Sequence, residues 1–294
     1  MYLHMGKIIS IANFKGGVGK TATALNLAGA LWICGKSVCV VDCDPQGDTT
    51  SRNEFRQEVD FTLTDWLKTY KRPGSEDIPA PIYNRYDRFD LIPTDESLCG
   101  IEKILNDEIA SIPYAINDSL RAMSIRLSQI RNYYDYIIID CPPNPGFINN
   151  SILIASDQVI VPVICSGESF EGVVKMKVKV QDIKEKVNPN IELLGCLIVD
   201  YDSRTIISKT VIEEISSLVH VFKTRIRHDV TVKESNAGFA TIFEYCPKGR
   251  AAKDYMQFTE EAFGVKRPFK WFDLAPAAYA SIAEDDDAVN DESV

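Results

Sequence analysis

Residues 14–21 of this chain read FKGGVGKT. Gly16, Gly17 and Gly19 leave the backbone bare where an anion can approach, because no Cβ stands in the way. Lys20 carries an ammonium group able to reach the outer phosphates of a nucleotide, and the Thr21 hydroxyl is a hard oxygen ligand suited to magnesium. Lys15 sets a second ammonium at the start of the loop, and Val18 and Ala22 complete the run. Two other stretches carry acid. VVDCDPQGDTT holds Asp42 and Asp44 two residues apart, so both face one side of an extended chain. YIIIDCPP closes an apolar run on Asp140. That carboxylate suits magnesium held through water, since this ion gives up its hydration shell reluctantly. Lysines, a hydroxyl and carboxylates around an anion-binding loop are the parts that phosphoryl transfer requires.

These groups need elements to hold them. KIISIA (7–12) is a β-branched apolar run that reads as a buried strand, and TATALNLAGALW (21–32) has apolar or small residues at 24, 25, 28 and 31, the spacing of a helix face. Strand, glycine loop and helix in that order aim backbone N–H groups and the positive helix end at the anion. A glycine turn with two solvated lysines is the bland alternative, and the flanks weigh against it. Further strands are predicted at 37–47, 88–93, 134–143, 157–163 and 193–200, with helices at 97–108, 115–132, 170–187 and 207–219. VKMKVKV (174–180) alternates like a strand, but apolar residues at 173, 176, 180, 183 and 187 favour the helix. Strands alternating with helices predict an α/β fold, a mostly parallel sheet with helices on both faces. Residues 51–87, polar and carrying Pro73, Pro79 and Pro81, read as a loop-rich excursion.

The 294 residues carry a net charge of −10, unevenly placed. From Pro268 onward there are seven acidic residues and one base, Lys270. The chain therefore reads as a single domain over 1–267 and an acidic, disordered tail over 268–294. No apolar run approaches the roughly 20 residues that span a bilayer, and no secretory signal opens the chain. Eight cysteines without a C-x-x-C pair fit a reducing cytosol, and three scattered histidines suggest no metal centre.

A general phosphate loop begins with glycine; this one begins with Phe14 and then Lys15. That variant resembles the deviant Walker A loop of the ParA/MinD family of ATPases, and the likeness extends over most of residues 6–263. The resemblance implies a P-loop NTPase-type fold, ATP and Mg2+ as cofactors, and a homodimer in the ATP state in which Lys15 of each subunit reaches its neighbour's nucleotide. Residues Lys15 to Ala22 would bind ATP. Asp44, in the D-P-Q-G segment, matches the residue that orients the attacking water. Asp42 matches a companion acid near the magnesium, and Asp140 the Walker B aspartate. PPNPGFINNSILIA (142–155) matches the second switch segment, where Gly146 permits movement and Asn150 begins a helix. Lys15, Lys20 and Asp44 would be catalytic, and Thr21, Asp42 and Asp140 the metal residues. No module for a phosphoryl acceptor is evident, so hydrolysis is expected. An aspartate carboxylate is a weak base, so positioning matters more than proton abstraction, and turnover is expected to be slow until a partner stimulates it.

LIVDYDSRT (197–205) resembles a ParA segment in which an arginine contacts DNA; Arg204 is the match. Residues 221–255 resemble the final module, though Ile226 is followed by Arg227 where the family has proline, while Glu234 keeps its place. Arg204, Arg225, Arg227, Lys233 and Arg250 would attract the phosphates of double-stranded DNA without reading sequence. The leading expectation is a DNA-partition ATPase in the cytoplasm, on the nucleoid, stimulated by a ParB-like protein. A plasmid or integrative mobile element is the DNA such a protein would serve. A MinD-like ATPase acting at a membrane would end in a basic amphipathic helix, and this chain ends in acid. An electron carrier like the nitrogenase iron protein needs two suitably placed cysteines; Cys99 is one candidate, and none lies in 110–135.

Overall fold

The computed structural model describes residues 5–47, 59–69, 78–109, 119–237 and 240–273. Its strands are β1 (Lys7–Ile11), β2 (Val38–Asp42), β3 (Tyr83–Tyr86), β4 (Phe89–Ile92), β5 (Tyr136–Asp140), β6 (Gln158–Val163) and β7 (Glu192–Ile198). Its helices are α1 (Lys20–Ile33), α2 (Leu63–Lys68), α3 (Ile101–Ile109), α4 (Ala122–Ile130), α5 (Phe147–Ala155), α6 (Ser169–Lys186), α7 (Ile206–Ser216), α8 (Val230–Ala237), α9 (Ile242–Tyr245) and α10 (Arg250–Phe263). One sheet runs in the order β3-β4-β2-β5-β1-β6-β7. Every neighbouring pair is parallel except β3 with β4.

The central strands are apolar on both sides, as a sheet covered twice demands. Their alternation decides what each residue meets. Val38 and Val40 of β2 and Ile138 of β5 enter the core under α1, α9 and α10, while Cys39, Val41, Ile137 and Ile139 enter the core under α4, α5 and α6. Asp42 keeps the parity of Val38 and Val40, and Asp140 that of Ile138. Both carboxylates therefore emerge on the α1 face at the C-terminal strand ends, where open α/β sheets bind ligands. In α1 all residues but Thr21 and Trp32 are buried, because α9 and α10 cover its outer side.

Four expectations are corrected. The 51–87 stretch is not simply a loop among its described residues. It contains α2, started by a reciprocal cap between Thr62 and Asp65 and burying Leu63, Trp66 and Leu67, and the antiparallel edge strand β3. The helix expected at 97–108 opens as a tight 3-10 turn, Glu96–Gly100, capped by the Asp95 side chain. Over its described part, the helix expected at 115–132 opens as a 3-10 turn at Ser119–Arg121, continues as α4 and ends at Ile130, while 115–118 lie outside the described residues. The folded body also passes the expected boundary at 267. Trp271 is buried, its ring edge-on to Phe243 at 5.6 Å. Residues 274–294, most of the expected tail, lie outside the described residues. VKMKVKV is helical, within α6, with Val173, Met176, Val180 and Ile183 buried. Among the described residues no helix is long and apolar enough to cross a membrane.

Candidate nucleotide-binding site

The glycine loop bridges the end of β1 and the start of α1. Gly17 (φ 70°) and Gly19 (φ 77°) take left-handed backbone, which an L side chain adopts only at a cost of about 1–2 kcal/mol. Gly19 stands at the N-terminus of α1, whose first turn carries no acidic residue, so the positive helix end faces the loop uncompensated. Asn13 anchors the loop's entry. Buried, it donates its side-chain N–H to the Pro162 carbonyl of β6 (2.8 Å) and accepts the Lys15 backbone N–H (3.0 Å). Nothing in the sequence marks Asn13 for that task, which depends on β6 lying beside β1.

Lys20 opens α1 and is buried, its Nζ donating to the Lys15 carbonyl at 3.2 Å. Burial pushes its ammonium below the usual lysine pKa, against the opposing pull of Asp140, Cys141 and Asp44. A buried cation beside a glycine-rich loop at a helix N-terminus is an anion site: phosphate would supply the charge that water no longer can. Thr21, half-buried, and Ala22, buried, follow in the same turn.

Asp42 and Asp140 are both fully buried and sit opposite one another in the β2–β5 register. The Asp44 backbone N–H donates to Asp42 Oδ1 (3.1 Å). Asp44 in turn accepts the Gln46 N–H on Oδ1 (3.1 Å) and the Gly47 N–H on its carbonyl (2.7 Å), a tight turn that keeps the carboxylate at the strand end. Two adjacent buried carboxylates, with the Thr21 hydroxyl opening α1 at the same end of the sheet, offer the hard oxygens that magnesium takes. Among the described residues no group of three or more His, Cys, Asp or Glu could enclose a metal, so an ion here would lean on water and phosphate for its other ligands.

The chain leaves β5 through Pro142 and re-enters helix at Phe147, three residues before the expected Asn150. Asn149 holds this turn, donating to the Pro142 carbonyl at 3.0 Å. Gly146 has extended backbone and nothing within 4 Å of a Cβ position, so no folding constraint requires glycine there. Lys15 turns outward from the glycine loop: its Nζ donates to Ser166 Oγ (3.2 Å) and to Glu168 Oε2 (3.0 Å).

The basic residues expected to meet DNA gather where β7 ends. A bridge between Tyr201 and Arg227 joins the chain after β7 to the chain before α8, and α10 starts beside them. Four of the five are engaged internally. Arg204 pairs with Asp202 (2.7 Å), Arg227 with Asp254 (2.6 Å) and Arg250 with Asp229 (3.7 Å). Arg225 stacks over Tyr201 at 4.7 Å and donates to its hydroxyl. Lys233 is exposed on α8. These pairings were not visible in the sequence, because the partners lie two to 27 residues away with no periodic signature.

A parallel sheet with a glycine loop entering its first helix, a buried lysine and two acids at neighbouring strand ends defines a P-loop nucleotide-binding protein. Comparison with known proteins narrows this. Residues 6–193 match a family model described as an AAA domain. The chain is 34% identical over 260 residues to the sporulation initiation inhibitor protein Soj of Bacillus subtilis, covering 87% of this chain and 98% of that protein. It is 30% identical over 264 residues to the chromosome partitioning protein ParA of Caulobacter vibrioides, covering 89% and 95%. Among solved structures it resembles cobyrinic acid a,c-diamide synthase from Mycobacterium smegmatis with a bound ATP analogue and magnesium, at 26% identity and a TM-score of 0.70, over 90% of this chain and 98% of that one. The chain belongs to the ParA/MinD family of P-loop ATPases, on its ParA/Soj side.

Proposed function

We propose that this protein is a DNA-partition ATPase that hydrolyses ATP with Mg2+ at the β1–α1 loop. The observation that carries the reading is the convergence of buried Lys20 with the Asp42–Asp140 pair at one strand end. The backbone of Lys15 to Ala22 cradles the phosphates, and the Lys20 ammonium neutralises their outer charge. Thr21, Asp42 and Asp140 would hold a magnesium ion, which when bound would offset charge on the phosphate oxygens. Asp44 orients the attacking water from its turn. Water at such a site is a poor nucleophile without a stronger base, which accounts for slow turnover until a partner completes the arrangement.

In the ATP state two copies close face to face, each donating Lys15 to its neighbour's phosphates. The dimer then binds double-stranded DNA without sequence preference through Arg204, Arg225, Arg227, Lys233 and Arg250, and a ParB-like protein triggers hydrolysis and release. ATP drives this switch only so far as it binds the closed form better than the open one. Family membership and the gathering of basic residues after β7 support the DNA step; the carboxylate partners of Arg204, Arg227 and Arg250 set a competition that DNA phosphates must win. Such a protein works in the cytoplasm, on the nucleoid.

Light scattering with ATP, ADP or no nucleotide, with and without DNA, tests this reading. A doubled mass with ATP alone and steeply salt-dependent DNA binding by that species are expected. A monomer in all three states, or DNA retention indifferent to salt, overturns it.

A further inference from the structure

The Lys15 side chain lies over the segment between β6 and α6. It donates to Ser166 Oγ at 3.2 Å and pairs with Glu168 Oε2 at 3.0 Å, with the Lys15 side chain 40% and that of Glu168 82% exposed. The seat is built rather than incidental. Ser166 is fixed by Ser169, whose Oγ accepts the Ser166 N–H (3.0 Å), meets Ser166 Oγ (2.9 Å) and donates to the Ile164 carbonyl (2.5 Å). Ser169 is itself buried at the first turn of α6, while Glu168 stands just before it. The other end of the contact is equally fixed, since Asn13 holds the Lys15 backbone N–H. Backbone and ammonium of Lys15 are thus both held within their own subunit.

We propose that Ser166 and Glu168 form an intramolecular dock that holds the Lys15 ammonium in the resting monomer and so sets the threshold for ATP-driven dimerisation. This rests on the reading that Lys15 crosses to a neighbour's nucleotide. One ammonium on one side chain cannot sit on Glu168 and on another subunit's phosphate together, so each crossing breaks a dock. A dimer breaks two. The dock is exposed and its ion pair correspondingly weak, which lets a triphosphate with several negative oxygens outcompete one carboxylate. A diphosphate, with less charge facing the partner, competes less well, so the dock sharpens discrimination between ATP and ADP. Glu168 is a positioning residue here: it acts through Lys15 and touches no reacting atom.

The test compares wild type with Glu168→Gln by sedimentation velocity, with magnesium and a nonhydrolysable ATP analogue. An exposed pair is worth a factor of about 1.4 to 5, so two broken docks make the Glu168→Gln dimer about 2- to 25-fold tighter at low salt. The gap should narrow as salt screens the wild-type pair. Ser166→Ala should tighten the dimer less. A second readout needs no dimer: in the nucleotide-free monomer, acetylation of the Lys15 amine by an activated ester, followed by mass spectrometry, should be several-fold faster in Glu168→Gln. Neither change should alter ADP affinity, which a disturbed fold would. An equal or weaker Glu168→Gln dimer, or unchanged Lys15 acetylation, overturns the dock. A wild type that binds the analogue yet stays monomeric, with Lys15 acetylation faster in Glu168→Gln, overturns the crossing instead and leaves the dock standing.

Discussion

Gly16→Ala separates what the loop needs for folding from what it needs for its ligand. Gly16 lies outside the left-handed region that Gly17 and Gly19 occupy, it is exposed, and an added Cβ would meet nothing nearer than Pro143 Cβ at 4.0 Å. Alanine there should leave stability within about 0.5 kcal/mol of wild type, or raise it by up to about 1 kcal/mol by restricting the unfolded chain. The ligand side is different. A phosphate wrapped by this backbone must approach its N–H groups to hydrogen-bonding distance, and a methyl group in the wrap displaces it. Losing one charge-assisted bond costs about 1.5–3 kcal/mol, so ATP affinity should fall roughly 10- to 150-fold. Urea unfolding and titration with a fluorescent ATP analogue give the two quantities. A variant equal to wild type in both would refute the wrapping of phosphate by this stretch. A variant much less stable than wild type would show that the glycine serves the fold.

Other expected outcomes follow from the packing and from charge. Trp271→Ala removes a buried indole stacked edge-on to Phe243 and should cost about 3 kcal/mol, read as a lower urea midpoint with an unchanged slope; a loss below about 1 kcal/mol would return the domain edge to 267. Glu261 accepts the backbone N–H groups of Lys223 and Thr224. Its burial raises the carboxyl's pKa, but those bonds outweigh it and the net shift is downward. Its contribution is therefore full above the unfolded value of about 4.3 and is lost as pH falls through the lowered folded value. Glu261→Gln should flatten that acid limb of the stability curve, and an unaltered limb would discount the carboxylate. Cys99 alone among the eight cysteines is exposed, while burial pushes the half-buried Cys34 thiol up to about 11. A disulfide reagent at pH 8 should label one thiol quickly; two or more fast thiols would contradict this packing.

The sheet was legible because parallel strands buried on both faces are continuous apolar runs, and the glycine loop because its chemistry is confined to eight consecutive residues. The pairing of Asp42 with Asp140 was legible only as two strand ends; the register that sets them side by side is a tertiary fact. α2 and β3 were hidden by length. Six and four residues in a proline-containing polar stretch give no periodicity, though the Thr62–Asp65 cap before Leu63 was a readable start signal. Trp271 was lost to the acidic composition around it, where a single large apolar residue weighs little in the average yet is almost wholly buried. Asn13, Glu168 and the carboxylates beside the arginines were invisible because each acts on a neighbour brought close only by the fold.

ATP binding and phosphate release by wild type, Lys20→Ala and Asp44→Ala, measured side by side, bear most directly on the ATPase itself. Lys20→Ala should bind no nucleotide, whereas Asp44→Ala should bind ATP as wild type does and release no phosphate. Phosphate release from Asp44→Ala at the wild-type rate, or full ATP affinity without the Lys20 ammonium, would contradict hydrolysis at this loop by these residues.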